Sequence, residues 1–557
     1  MNKIKNTTIL GLVLMVTLVF SCKDLDELNI NPNGVDPASA HPNLLMATLI
    51  TSIGTDVVNL GYGDIAGVMQ HTQKDGWGGG HNNYLWENQS WAGYYNLLSN
   101  NEEFNNKAAD LNLEFHQGLA LILKAYLFGR ITDLWGDAPF SSALKGETLL
   151  PADIKPVYDN QEVIYDGILD FLSQANDMLS KSQSEYKGII PGQDPVYAGD
   201  VMKWRRFANS LALRYYMRIS AKNPGKAKAG IEAIMSDASK YPIITSTTDE
   251  ANMSYPGNNS TDSWPNNTVF DGSQGSSYRR LKMCSSLVDV LQEYKDPRLP
   301  LWAARVRQPI VIEAGWANDR DEVLADGKRH VAKNIADNYT NTVGIPVDLD
   351  TMYIGMPPAW SEAPYIFNLN KNLEQAADNL HMSHVHERYK DPTGPLHKSR
   401  ILTAAEVHFI LAEAALKGWS VGGSAQTHYE SGIRESLKAW GVGSSYNSYI
   451  SNPGVAFDAA TALEQIIEQK WIASWTAATE AWFDYRRTGL PDLPIGRFVK
   501  RPAIPVRFYY MNDEILLNPD NTGTAISNLE QTQFSDPDGG NSAWSKSWLL
   551  QGTGKPW

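Results

Sequence analysis

The residues whose type and surroundings suit a definite chemistry are aromatic side chains set in Gly-, Asn- and Ser-rich loops, and that chemistry is sugar recognition. Trp77 and Trp86 lie in the glycine-rich loop Lys74 to Trp86, Trp264 and Tyr278 in the polar run Ser254 to Tyr278, and Tyr353 and Trp360 in Thr351 to Trp360. A pyranose presents an apolar C–H face that stacks and hydroxyls that hydrogen-bond, so an indole or phenol beside amide side chains answers both. The same residue types also pin long loops onto a core. Spacing alone does not converge these six candidates on one concave patch.

Signatures of catalysis are missing from the sequence: there is no G-x-S-x-G elbow, no H-E-x-x-H, no phosphate loop and no C-x-x-C pair. Gly61-Tyr-Gly63-Asp-Ile-Ala66 imitates a dinucleotide fingerprint without the alternating strands and helices that would give it meaning. His381, His384 and His386 form the one histidine cluster, in a polar stretch lacking an obvious carboxylate or Cys partner, so no metal site is expected there. Asp536-Pro-Asp538-Gly-Gly-Asn541 spaces oxygen ligands at alternate positions but lacks the later bidentate acid of a calcium loop, and reads as a surface turn. Asp133, Asp137, Glu406, Glu413, Asp484, Arg486 and Arg487 lie on or beside packed helices; there, paired charges hold elements together, because an unpaired buried charge is costly. No catalytic residue and no cofactor is expected.

Helices must position these loops. The longest strongly patterned one starts at Glu114: Leu119, Ile122, Leu123, Tyr126 and Leu127 form one stripe, Leu121 and Phe128 add a second face, and Gly136 with Pro139 stops it. Further helices are predicted over 44–60, 161–179, 201–220, 227–237, 403–417 (opened by the capping-box pattern Thr403-x-x-Glu406), 428–440, 461–475 and 479–487. Between about 241 and 399 the texture changes to Pro, Gly, Asn, Ser and aromatics, with Ser285 to Tyr294 as a short amphipathic exception. Binding residues tend to sit on loops held by a rigid scaffold, so function is placed in that insertion. The fold class is therefore mainly α, with helix pairs about 44–240 and 400–490, a loop-rich insertion about 241–399 and a loop-rich tail 491–557, all within one domain from 44 to 557.

The amino terminus reads as a targeting segment. Lys3 and Lys5 precede an uncharged run from Ile9 to Phe20 that is too short to span a bilayer, and Val19-Phe20-Ser21-Cys22 is a lipoprotein processing pattern with Val where Leu is usual. Cleavage after residue 21 would leave Cys22 for lipidation, followed by an acidic, extended tether from 22 to 43. With Cys22 acylated, Cys284 is alone and no disulfide framework is possible. The formal net charge of −14 argues against sequence-independent nucleic-acid binding.

Four blocks of sequence resemble the SusD/RagB family of Bacteroidetes outer-membrane lipoproteins. They are the helix and corner Arg130-x-x-Asp133-Leu-Trp135-Gly136-Asp137-x-Pro139; the helix Arg400 to Ala414; Ile466 to Trp471 continued by Glu480-x-Trp482-x-Asp484-x-Arg486-Arg487-x-Gly489; and the tail from Arg501-Pro502 to Asn518-Pro519. Where the family motif has Glu-Arg-Arg, this chain has Glu468-Gln469-Lys470. The resemblance implies a SusD-like fold, in which tetratricopeptide-like helix pairs carry an irregular loop-rich half. It implies a cell-surface, lipid-anchored protein of the outer membrane that captures an oligosaccharide and passes it, without catalysis, to a SusC-like TonB-dependent transporter. A peptide cargo, as in RagB-like members, and an all-helical glycoside hydrolase are the alternatives.

Overall fold

A computed structural model describes residues 41–86, 88–148, 150–273, 275–360, 379–535 and 538–557. Cys22, the signal and most of the tether lie outside the described residues, as does part of the Asp536 turn.

The principal helices are α1 (Pro42–Gly61), α2 (Ala92–Asp110), α3 (Glu114–Trp135), α4 (Gln161–Met178), α5 (Val201–Arg218), α6 (Pro224–Ser236), α7 (Ala404–Leu416), α8 (Ala425–Ala439), α9 (Ala462–Ala473) and α10 (Ala478–Thr488). Sequence neighbours pack as pairs: α1 on α2, α2 on α3, α3 on α4, α4 on α5, α5 on α6, α7 on α8 and α9 on α10. The fold is thus mainly α. The α3–α4 pair is antiparallel, since Asp133 near the end of α3 accepts from Tyr165 near the start of α4 (2.6 Å), while Gly118 near the start of α3 lies against Met178 and Leu179. Four interior residues explain the covering of α3 on both faces: Leu119, Ile122, Phe128 and Ile131 are all essentially inaccessible.

Charge ties these pairs together. Arg214 of α5 makes a bidentate pair with Glu406 of α7 (2.7 and 2.7 Å), and Arg487 of α10 pairs with Glu413 of α7 (2.6 and 2.6 Å) and with Asp484. Lys470 of α9 reaches Asp484 at 2.7 Å. Glu480 of α10 lies among three guanidinium groups, Arg218 at 2.6 Å, Arg130 at 3.3 Å and Arg214 at 3.6 Å, which hold its carboxyl down to about 2 against the cost of burial. Arg486 donates to the carbonyls of Asp133 and Val506 and lies over the rings of Trp482 and Phe483. Five helices are joined through this one desolvated network.

Local details differ from the sequence reading for identifiable reasons. Thr403 caps α7 by accepting from the Glu406 amide, but the reciprocal half of the expected capping box is replaced: the Glu406 carboxylate is taken by Arg214. Gly136 has a positive φ of 103°, with ψ at −127° rather than a left-handed helical value, and an added Cβ would meet Ser547 at 3.1 Å. The stretch read as irregular contains a three-stranded sheet, Ile310–Glu313, Arg329–Ala332 and Asp321–Val323, and a helix, Lys333–Val343. Strands of three or four residues leave no period to detect. Two segments at its ends, β2 (Ala251–Ser254) and β4 (Lys398–Leu402), pair antiparallel, so the loop-rich region leaves and rejoins the scaffold at one place.

Loop aromatics act as bolts there. Trp302 stacks on Trp475 at 5.4 Å and meets Trp440 edge-on, while Trp264 packs among Tyr62, Tyr255, Tyr389 and His397 at 5.2 to 5.6 Å. Pro42–Val68 is apolar and long enough by composition to cross a membrane, yet α1 turns Met46, Leu49, Ile50, Ile53 and Val57 into the core and keeps hydroxyls on its other face.

Two outcomes follow. Arg487→Met leaves Glu413 and Asp484 without their guanidinium and is expected to lower unfolding stability by about 3–5 kcal/mol in urea titration, whereas a cost below about 1 kcal/mol would mean the network is dispensable. Burial holds the folded imidazoles of His71 (about 3), His81, His116, His381 and His397 (each about 4) below the ordinary 6.5, so the unfolded chain binds more protons between those values. Stability should therefore be fully present above pH 6.5 and fall as pH drops towards 4, by roughly 1.4 kcal/mol per pH unit for each histidine in its window. Urea midpoints that stay flat from pH 7 to 5 would contradict this.

Candidate functional site

The glycine-rich loop follows β1 (Thr72–Lys74), which pairs antiparallel with β3 (Leu281–Met283); the amide of Asp75 extends this ladder to the Arg280 carbonyl. Beyond it the chain turns at Gly76, whose φ of 62° suits glycine. The loop closes in the short helix Gly80–Asn83, ended by Tyr84 in a left-handed conformation.

Asn82 is the clamp of this loop. It is fully buried; its carbonyl accepts from the Lys74 amide at 2.9 Å, and its NH2 donates to the carbonyls of Lys74 (2.6 Å), Trp77 (3.1 Å) and Trp360 (2.5 Å). Its neighbour Asn83 donates to Gly78 at 2.6 Å. One amide therefore fixes both ends of the loop and the Trp360 segment. His81, held against Thr72 at 3.1 Å and kept at about 4 chiefly by burial, is neutral at physiological pH.

The clamp presents Trp77, which remains 41% exposed. Lys74 Nζ lies 5.1 Å and the Arg280 guanidinium 6.0 Å from its ring centroid. Arg280 itself donates to the carbonyls of Asp75 (3.1 Å) and Gly76 (2.9 Å), so the cation is fixed to the loop it flanks. At Gly79 an added Cβ would stand 2.6 Å from the Trp77 indole nitrogen; only glycine lets the indole lie where it does. An exposed indole bordered by two cations and carried on a rigid loop can stack on a ring and donate hydrogen bonds at its edge.

The other five sequence candidates are placed differently. Trp360 is brought to Trp77 through Asn82, but its ring is buried and meets Phe498 edge-on at 4.6 Å. Trp86 is 4% exposed, wedged edge-on against Trp482 and Phe508 at 4.9 Å each, and lines a small cleft of about 240 Å³. Trp264 is wholly buried in the aromatic bolt, Tyr278 is buried with its hydroxyl donating to the Val385 carbonyl at 2.9 Å, and Tyr353 is 9% exposed within the core. Buried rings offer no open face to a ligand; of the six, Trp77 alone does. The histidine cluster is likewise committed to packing: His381 is buried, His384 stacks on Tyr278, and His386 accepts from the Arg388 amide.

Lys74 and Asn82 were visible within the loop, but nothing local marks Arg280, which reaches the loop from some 204 positions away in sequence. The Asn82–Asn83 doublet beside three glycines was the available signal for a clamp, because amides satisfy the backbone of tight turns.

Comparison with known proteins gives a consistent picture. A family described as starch-binding and associating with the outer membrane, SusD-like, matches residues 35–321 and 352–511. No curated protein matches the sequence. Among solved structures, a SusD homolog of Bacteroides fragilis is 23% identical with a TM-score of 0.66, covering 92% of this chain and 99% of its own. A chitin-binding SusD homolog of Flavobacterium johnsoniae is 21% identical with a TM-score of 0.67, covering 92% and 98%, and a protein described as chitin-binding is 23% identical with a TM-score of 0.69, covering 92% and 100%. At these identities the likeness is one of fold.

Asn82→Ala removes the clamp and strands buried backbone groups; it is expected to cost about 1–3 kcal/mol and to speed amide exchange at Lys74 at least tenfold. Unchanged exchange would show that the loop is held by other contacts.

Proposed function

Because the chain belongs to the SusD-like family of starch-binding proteins that associate with the outer membrane, we propose that it is a cell-surface nutrient-binding lipoprotein that captures an oligosaccharide at the Trp77 loop. In this reading Cys22 carries the lipid anchor, and the captured sugar passes to a SusC-like TonB-dependent transporter in the outer membrane, with no bond broken by this chain. The observation that carries the reading is the exposed, clamped indole of Trp77 between Lys74 and Arg280. Stacking of a sugar ring on that indole, with hydroxyls accepting from the neighbouring cations, needs neither a general acid nor a nucleophile. The chitin-binding relatives make a β-linked N-acetylglucosamine oligomer the first ligand to try and an α-linked glucose oligomer the second.

Calorimetry with these two oligomers tests capture. Trp77→Ala should weaken binding at that site at least tenfold, about 1.4 kcal/mol, and leave the thermal midpoint unchanged, since the side chain is largely outside the core. Unaltered affinity would remove Trp77 from the site. Release of shortened oligomers, abolished by changing one carboxylate, would overturn the non-catalytic reading in favour of hydrolysis. Gentle detergent extraction of the native protein should bring a TonB-dependent barrel with it; its absence across several mild detergents would overturn the transport role.

A further inference from the structure

A second cavity lies away from the Trp77 loop. It is a groove of about 790 Å³ between α1 and α2, within the range of about 300–1,000 Å³ typical of ligand sites. One wall is the outward face of α1, where Thr48, Thr51, Ser52 and Thr55 recur at helical spacing, continued by Asn59 and met across the gap by Gln89. Among the described residues, the side chains of Thr51, Ser52, Thr55, Asn59 and Gln89 make no hydrogen bond within the protein. Trp135 and Phe508 contribute aromatic surface, and Tyr94 completes the opposite wall.

This lining defines a ligand chemistry. No Lys or Arg lines the groove, so an anion finds no counter-charge. The single carboxylate, Asp56, is already engaged: it accepts from the Tyr94 hydroxyl at 2.7 Å and faces Arg130 at 3.6 Å, so a cationic ligand would compete with a buried guanidinium. An apolar occupant would cover five polar side chains without pairing them, at about 1–3 kcal/mol for each group left unsatisfied. A neutral polyhydroxylated chain answers all three conditions. The groove shares Asn59, Leu60, Gln89 and Phe508 with the cleft lined by Trp86, whose indole N–H is buried without an acceptor in the protein.

We propose that the α1–α2 groove is a second carbohydrate site, which holds a neutral oligosaccharide along the hydroxyl face of α1 independently of Trp77. It takes its ligand class from the proposed function, and its location from the groove alone. Two sites on one chain would let it hold a long glycan at two points and so gain avidity for polymers over short oligomers.

Gly93 provides the test. It lines the groove in the first turn of α2, and an added Cβ meets nothing within 4 Å, so Gly93→Leu obstructs the groove without disturbing the fold. Thr51→Val combined with Thr55→Val removes two hydroxyls as a second, milder variant. Calorimetry of the full mature protein with hexamers of N-acetylglucosamine and of α-1,4-linked glucose should give two sites for at least one of them. Gly93→Leu should abolish one site, the Thr51/Thr55 double variant should weaken that same site at least tenfold, and Trp77→Ala should abolish the other. Loss of all binding in Trp77→Ala with Gly93→Leu indistinguishable from the parent would overturn the groove and leave the Trp77 site standing. Loss of binding in Gly93→Leu with no effect of Trp77→Ala would do the reverse. Absence of binding of either hexamer to the parent protein would overturn both.

Discussion

Burial of charge at the junction of the helix pairs is the constraint on which this structure depends. Glu480 and Asp484 stand one turn apart on α10, and between them they engage Arg130, Arg214, Arg218, Lys470 and Arg487 from α3, α5, α9 and α10 itself. Each ion would be expensive to desolvate alone, so the helices are stable together only in the arrangement that pairs all of them. Hydrophobic contact between helices tolerates sliding; bidentate contacts such as Arg214–Glu406 and Arg487–Glu413 do not. The network therefore sets register, while the stripes of Leu, Ile, Phe and Trp supply the burial.

The rigid frame explains how an irregular half can be ordered without long strands or helices of its own. The pairing of β2 with β4 brings the two ends of the loop-rich region together on the scaffold, and Trp264 and Trp302 insert into the aromatic cluster that includes Tyr62, Trp440 and Trp475. Most of the aromatic content of the loops is spent on this anchoring. Of the six aromatic candidates, the backbone clamps place one outside: Trp77, held out by Asn82 and by the absence of a side chain at Gly79.

The same division applies to α1. Its inner face is a core stripe, and its outer face is a row of small hydroxyls facing α2 across a groove. A helix apolar enough in composition to resemble a membrane span is, in its folded setting, a wall with one dry and one wet side. Composition averaged over the helix conceals this; the distribution around it is what gives the groove its polarity.

The positions of most main helices, though not the extent of α2, and the family were legible in the sequence, because a 3.6-residue apolar period and motifs such as Arg130 to Pro139 are local properties of the chain. The structural role of Asp133, Glu406, Glu413, Asp484 and Arg487 was legible too, from their setting beside packed aromatic corners. Which aromatics face solvent was decided by tertiary structure alone. Trp77 and Trp264 sit in equally polar, glycine-containing loops, yet one is exposed and the other fully buried, since exposure depends on what packs over a ring from distant parts of the chain. For the same reason Arg280, some 204 positions away, could not be assigned to the Trp77 loop, nor Trp135 and Phe508 to the wall of the α1–α2 groove: pairwise distance in space leaves no periodic trace in one sequence.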